Sequence, residues 1–78
     1  MEAIADQLKT LFGLTKTEAD LALRLADGLS LQEIALARGI QPSTAKSQLR
    51  SIFAKLDCSR QARIVSIINN MVLPFSTS

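Results

Sequence analysis

The chain has 78 residues, nine Lys and Arg against seven Asp and Glu, no His, no Trp, no Tyr and one Cys. That length holds one domain, and without His there is no Ser-His-Asp or Cys-His relay and no imidazole metal ligand, while a single Cys makes neither an internal disulfide nor a thiolate metal centre. The net charge of +2 is unevenly spread: residues 1–33 carry three basic and six acidic side chains, a net −3, and residues 34–78 carry six basic side chains against Asp57 alone, a net +5.

From the N-terminus, residues 2–12 set Ile4, Leu8, Leu11 and Phe12 on one helical stripe, and Gly13 ends it. Thr15 followed three residues on by Glu18 is a capping box. It predicts a helix to about Asp27, with Ala19, Ala22, Leu23 and Ala26 inward, Leu21 and Leu25 widening that face, and Gly28 as the stop. Ser30 and Glu33 repeat the device, with Leu29 and Ile34 at the positions of a hydrophobic staple. The short helix they open, about Leu31 to Ala37, closes at Arg38-Gly39. Pro42 suits a first helical position, and Ala45, Leu49, Ile52, Phe53 and Leu56 then form a clean apolar stripe that stops near Asp57. A last helix, about Arg60 to Val72, is stopped by Pro74. No alternating strand pattern occurs, so the fold class is all-α, five helices with short connections.

The apolar fraction is 47%, but the most apolar run, Ile64 to Leu73, is broken by Ser66, Asn69 and Asn70, well short of the roughly 18–20 residues of a membrane span. The start, MEAIADQLK, lacks a basic segment followed by an apolar block, so no signal peptide is expected. These features predict a soluble cytoplasmic protein with no membrane contact, no catalytic residues, no metal and no cofactor.

The helix opened by Pro42 carries the functional signal. At about 100° per residue its apolar stripe centres near Leu56, and the opposite side holds Ser43, Ser47, Arg50 and Ala54, with Lys46 and Ser51 at the margins. That face is small, polar and cationic, and the first acid, Asp57, lies at the helix end. Small side chains let a helix backbone approach the DNA major groove while Lys and Arg reach base acceptors. Thr44, Gln48 and Lys55 flank the face at positions suited to phosphates. A solvated surface on a helical protein-interaction module is the alternative reading of the same pattern.

At these residues the chain resembles a known family. Leu14-Thr15-Lys16-Thr17-Glu18, Gly28-Leu29-Ser30-Leu31-Gln32-Glu33-Ile34-Ala35, Gly39-Ile40, Thr44-Ala45-Lys46 and Lys55-Leu56 stand in the order and spacing of the LuxR-type helix-turn-helix domain of bacterial transcription regulators. The resemblance implies a tetrahelical bundle over 14–73, preceded by an additional helix in 1–13 and followed by a tail, 74–78. It implies double-stranded DNA as partner, with the Pro42–Asp57 segment as recognition helix. Lys46, Ser47 and Arg50 match base-reading positions; Ser30, Ser43, Thr44, Gln48 and Lys55 fall at or beside backbone-contacting ones. RNA polymerase is a further candidate partner, and a promoter-reading region of a sigma factor is a more remote alternative. Four departures are visible: Ala45 for a usual Val, Gln48 where many members have His, Gln41 where a Ser often caps, and Asp57 for a common Gly.

The last helix has more apolar residues than one core-facing stripe needs. Ile64, Val65, Ile68, Met71 and Val72 are therefore expected at a homodimer interface, as members of the family dimerise through this helix, with partial cover by the N-terminal helix as the competing account. Cys58 reads as a partly buried small residue, with a redox role as the alternative.

Overall fold

The computed structural model of the chain describes residues 2–71. Five helices follow one another: α1 (Glu2–Phe12), α2 (Lys16–Ala26), α3 (Leu31–Arg38), α4 (Pro42–Leu56) and α5 (Gln61–Met71). No strand occurs among the described residues. Both predicted capping boxes form. Thr15 Oγ1 accepts from the Glu18 amide at 3.1 Å while Glu18 Oε1 accepts from the Thr15 amide at 2.9 Å. Ser30 and Glu33 repeat this at 3.1 and 2.7 Å. Each box satisfies amides that the first helical turn leaves without partners.

Three helices end with the same pair of backbone turns or part of it. The amides of Leu29, Ile40 and Cys58 reach back five residues to the carbonyls of Arg24, Ala35 and Phe53 at 3.2, 3.0 and 3.0 Å. This closure needs a left-handed residue just before the donor. Gly39 supplies it after α3 at φ 67°, and Asp57 supplies it after α4 at φ 56° with a side chain that disfavours it. At the start of α4, Gln41 makes no side-chain cap and Pro42 holds the first helical position.

The central element is α2, which packs against each of the other four helices. Its buried residues are Glu18, Ala19, Leu21, Ala22 and Leu25. The predicted inner face is corrected by this: Leu23 and Ala26 are only half-buried, and Leu21 and Leu25 are the large residues at the centre. The core is completed by Leu8, Ile34, Ile52, Ile64 and Ile68, each at most 2% exposed, with Leu14, Leu49 and Leu56 beside them. Phe53 lies at the core's edge, half-buried.

A second correction concerns α1. Leu8 is fully buried and Ile4 and Phe12 pack against the core, but Leu11 is 68% exposed. Because α1 packs chiefly on α2, it buries a narrow stripe, and Leu11 falls about 60° outside the line through Leu8. In α5, Ile64 and Ile68 are swallowed by the chain's own core, while Val65, Ile67 and Met71 stay half-buried. Ile64 and Ile68 are therefore not available to a second protomer. Val72, Leu73, Pro74 and the tail 74–78 lie outside the described residues.

Candidate nucleic-acid interface

The helix–turn–helix is α3 and α4, packed together and joined through Gly39, Ile40 and Gln41. Burial of Ala45, Leu49, Ile52 and Leu56 seats one side of α4 on the core. The other side then faces outward by helical geometry, and Ser43, Thr44, Lys46, Ser47, Arg50 and Ala54 are all exposed. Lys46 and Arg50 have no ion-pair partner among the described side chains.

The remaining flank of α4 turns toward α2 instead of outward. Lys55 Nζ lies 2.6 Å from Glu18 Oε1, the oxygen that also caps α2. Glu18 is 7% exposed. Burial pushes its carboxyl up, but hydrogen bonds from the Lys55 and Ser51 side chains and the Thr15 amide, with the charge of Lys55, outweigh that and lower it from 4.5 to about 2. The carboxylate is thus ionised and fixed between two helices. The sequence reading gave Glu18 only its capping role. The available signal was its register: Glu18, Leu21, Ala22 and Leu25 are spaced i, i+3, i+4 and i+7, the buried face of α2.

This changes the status of two expected backbone contacts. Lys55 is committed to Glu18 and is a helix-to-helix tie before it is a phosphate donor. Gln48 is half-buried, and its Oε1 is buried with no hydrogen-bond partner among the described residues. Ser30 is exposed, and its Oγ accepts from the Glu33 amide, which leaves its hydroxyl proton free to donate.

A second tie lies between α2 and α3. Arg38 Nη1 donates to the Thr17 carbonyl at 3.3 Å and lies 3.3 Å from Asp20 Oδ2, which also accepts from Arg24 Nε at 2.9 Å. Acids of the negative N-terminal half thus hold Arg38 and Lys55 of the positive half. Lys46, Arg50, Arg60 and Arg63 are left exposed and without ion pairs among the described residues.

Beside the turn, a shallow groove of about 300 Å³ is lined by Gln32, Ala35, Leu36, Ile40 and Pro42, and Leu36 is 85% exposed. Cys58 is half-buried against the core. No helix among the described residues is long and apolar enough to cross a membrane. No family model, curated protein or solved structure matches the chain.

Proposed function

We propose that this chain is a sequence-specific DNA-binding domain of a transcription regulator, similar to the LuxR-type helix-turn-helix domains, and that it acts as a dimer. The outer face of α4 carries the reading: it is exposed, small and cationic, it bears no acid, and its Lys46 and Arg50 are unpaired while other cations of the same half are tied to acids of α2. In this reading α4 enters the major groove. Lys46 and Arg50 donate to purine acceptors, Arg50 best to the paired acceptors of guanine, and Ser47 lets the helix backbone come close. Ser43, Thr44 and Ser30 donate to phosphates along the groove edge. Gln48 has only its amide NH₂ to offer a phosphate, since its oxygen is buried. Val65 and Met71 are the half-buried α5 residues that a second protomer would cover.

Selection of bound duplexes from a random DNA pool tests this directly. The expected product is a two-part, roughly palindromic motif. Arg50→Ala should then erase preference at one position of each half-site, at about 1–3 kcal/mol, while leaving most non-specific affinity in place. Recovery of no motif, with no binding to mixed duplex at low salt, would sink the reading.

A second reading has one specific observation behind it. The exposed Leu36 beside the Ile40 groove is a feature a protein-interaction module would use. It predicts that Leu36→Asp abolishes function while Arg50→Ala leaves it intact.

A further inference from the structure

Four cations of residues 34–78 are exposed and have no ion pair among the described residues, and they form two groups. Lys46 and Arg50 belong to the outer face of α4. Arg60 and Arg63 stand together beyond its far end: the Arg63 amide donates to the Arg60 carbonyl at 3.0 Å, so both sit on one turn of backbone. The first turn of α5 has no acid, and the sole acid of this half, Asp57, makes no ion pair with either arginine. Arg38 and Lys55 of the same half are engaged by acids of α2, and this pair is not.

Position gives the pair its partner. The 15 residues of α4 run about 22 Å, while the major groove is about 12 Å wide. A helix that reads bases with Lys46 and Arg50, its fifth and ninth residues, and that crosses the groove at an angle carries its last six residues, about 9 Å, toward the flanking strand. The connection Asp57–Arg60 begins tightly, with the Cys58 amide bonded back to Phe53, and four residues extend at most about 14 Å. Arg60 thus stands within about 14 Å of the end of α4, and Arg63 follows one turn on.

We infer that Arg60 and Arg63 form a second, sequence-independent clamp on the DNA phosphates flanking the site that α4 reads. The inference rests on the DNA-binding reading above. The guanidinium groups donate in bidentate fashion to phosphate oxygens and displace condensed counterions. Their share of the binding is salt-sensitive and indifferent to base identity.

The test is fluorescence anisotropy of the full chain with labelled mixed and selected duplexes of roughly 25 base pairs, titrated over salt. It compares wild type with Arg60→Gln/Arg63→Gln, Arg60→Lys/Arg63→Lys and Lys46→Gln/Arg50→Gln. Thermal melting by circular dichroism establishes that each variant is folded. The Gln pair should flatten the slope of log K against log salt by about 1.8 per bound protomer, on both duplexes alike, and the Lys pair should restore it. The Lys46→Gln/Arg50→Gln variant should instead remove the preference for the selected duplex. A wild-type slope in the folded Gln pair, alongside a lost preference in the α4 variant, overturns the clamp and leaves the DNA reading standing. Absence of any salt-dependent duplex binding by wild type overturns both.

Discussion

Glu18 Oε1 accepts hydrogen bonds from two directions, from the Thr15 amide at 2.9 Å and from Lys55 Nζ at 2.6 Å. One carboxylate thereby starts α2 and fastens α4 to it. Its carboxyl titrates at about 2 in the folded chain instead of 4.5, so the folded state binds this proton less readily than the unfolded state. The stabilisation is full above about 4.5 and is lost as pH falls from there toward about 2. An acid titration of thermal stability should show that fall, and Glu18→Gln should flatten it. Glu18→Gln and Lys55→Ala should each cost about 2 kcal/mol at neutral pH, and the double variant clearly less than their sum, because the pair is one interaction. A Lys55 variant weak in DNA binding must therefore be checked for melting before a phosphate contact is ascribed to it. At the other end of α4, Asp57 holds a left-handed conformation at φ 56° and puts a negative charge at a helix C-terminus. Asp57→Gly removes both costs and should stabilise by about 1 kcal/mol, read as a rise of roughly 4–8 °C in melting temperature.

At the scale of the elements, what was legible in the sequence was local. Helix starts rest on Thr15-Glu18, Ser30-Glu33 and Pro42, and stops rest on Gly28 and Gly39; each is decided within a few residues, and each stands where the sequence pattern puts it. The stripe of α4 was legible too, since Ala45, Leu49, Ile52 and Leu56 face one continuous core. Inward faces that depend on the number of neighbours were not. Leu11 shares a stripe with Leu8 in sequence, but α1 has α2 as its main support and leaves Leu11 outside. Ile64 and Ile68 looked like surplus because the depth of the α2–α5 contact is not written in α5. The Glu18–Lys55 tie joins residues 37 apart in sequence, beyond any periodic signal. The contrast within α1 is measurable: Leu8→Ala should cost about 2–4 kcal/mol by denaturant unfolding, and Leu11→Ala no more than about 0.5.

At the scale of the whole molecule, the opposed charges of the two halves have two uses. Acids of α2 hold Arg38 and Lys55 and so bind α3 and α4 to the central helix. What the fold leaves over is four exposed cations in residues 34–78, not six. In the proposed DNA-binding reading, that number enters the salt dependence of duplex binding. If each free cation displaces one phosphate counterion, a protomer should show a slope of about −3.6, against about −5.4 if all six basic side chains of this half took part. Two protomers on a two-part site should double the value to about −7. A dimer assembled through α5 has Val65, Ile67 and Met71 to draw on, because Ile64 and Ile68 are enclosed. Val65→Asp places a charge on that half-buried face and should convert the dimer to a folded monomer, seen by sedimentation, with the salt slope halved in step. A slope near −3.6 in wild type, unchanged by Val65→Asp, would mean that one protomer binds alone and that α5 is not the joint.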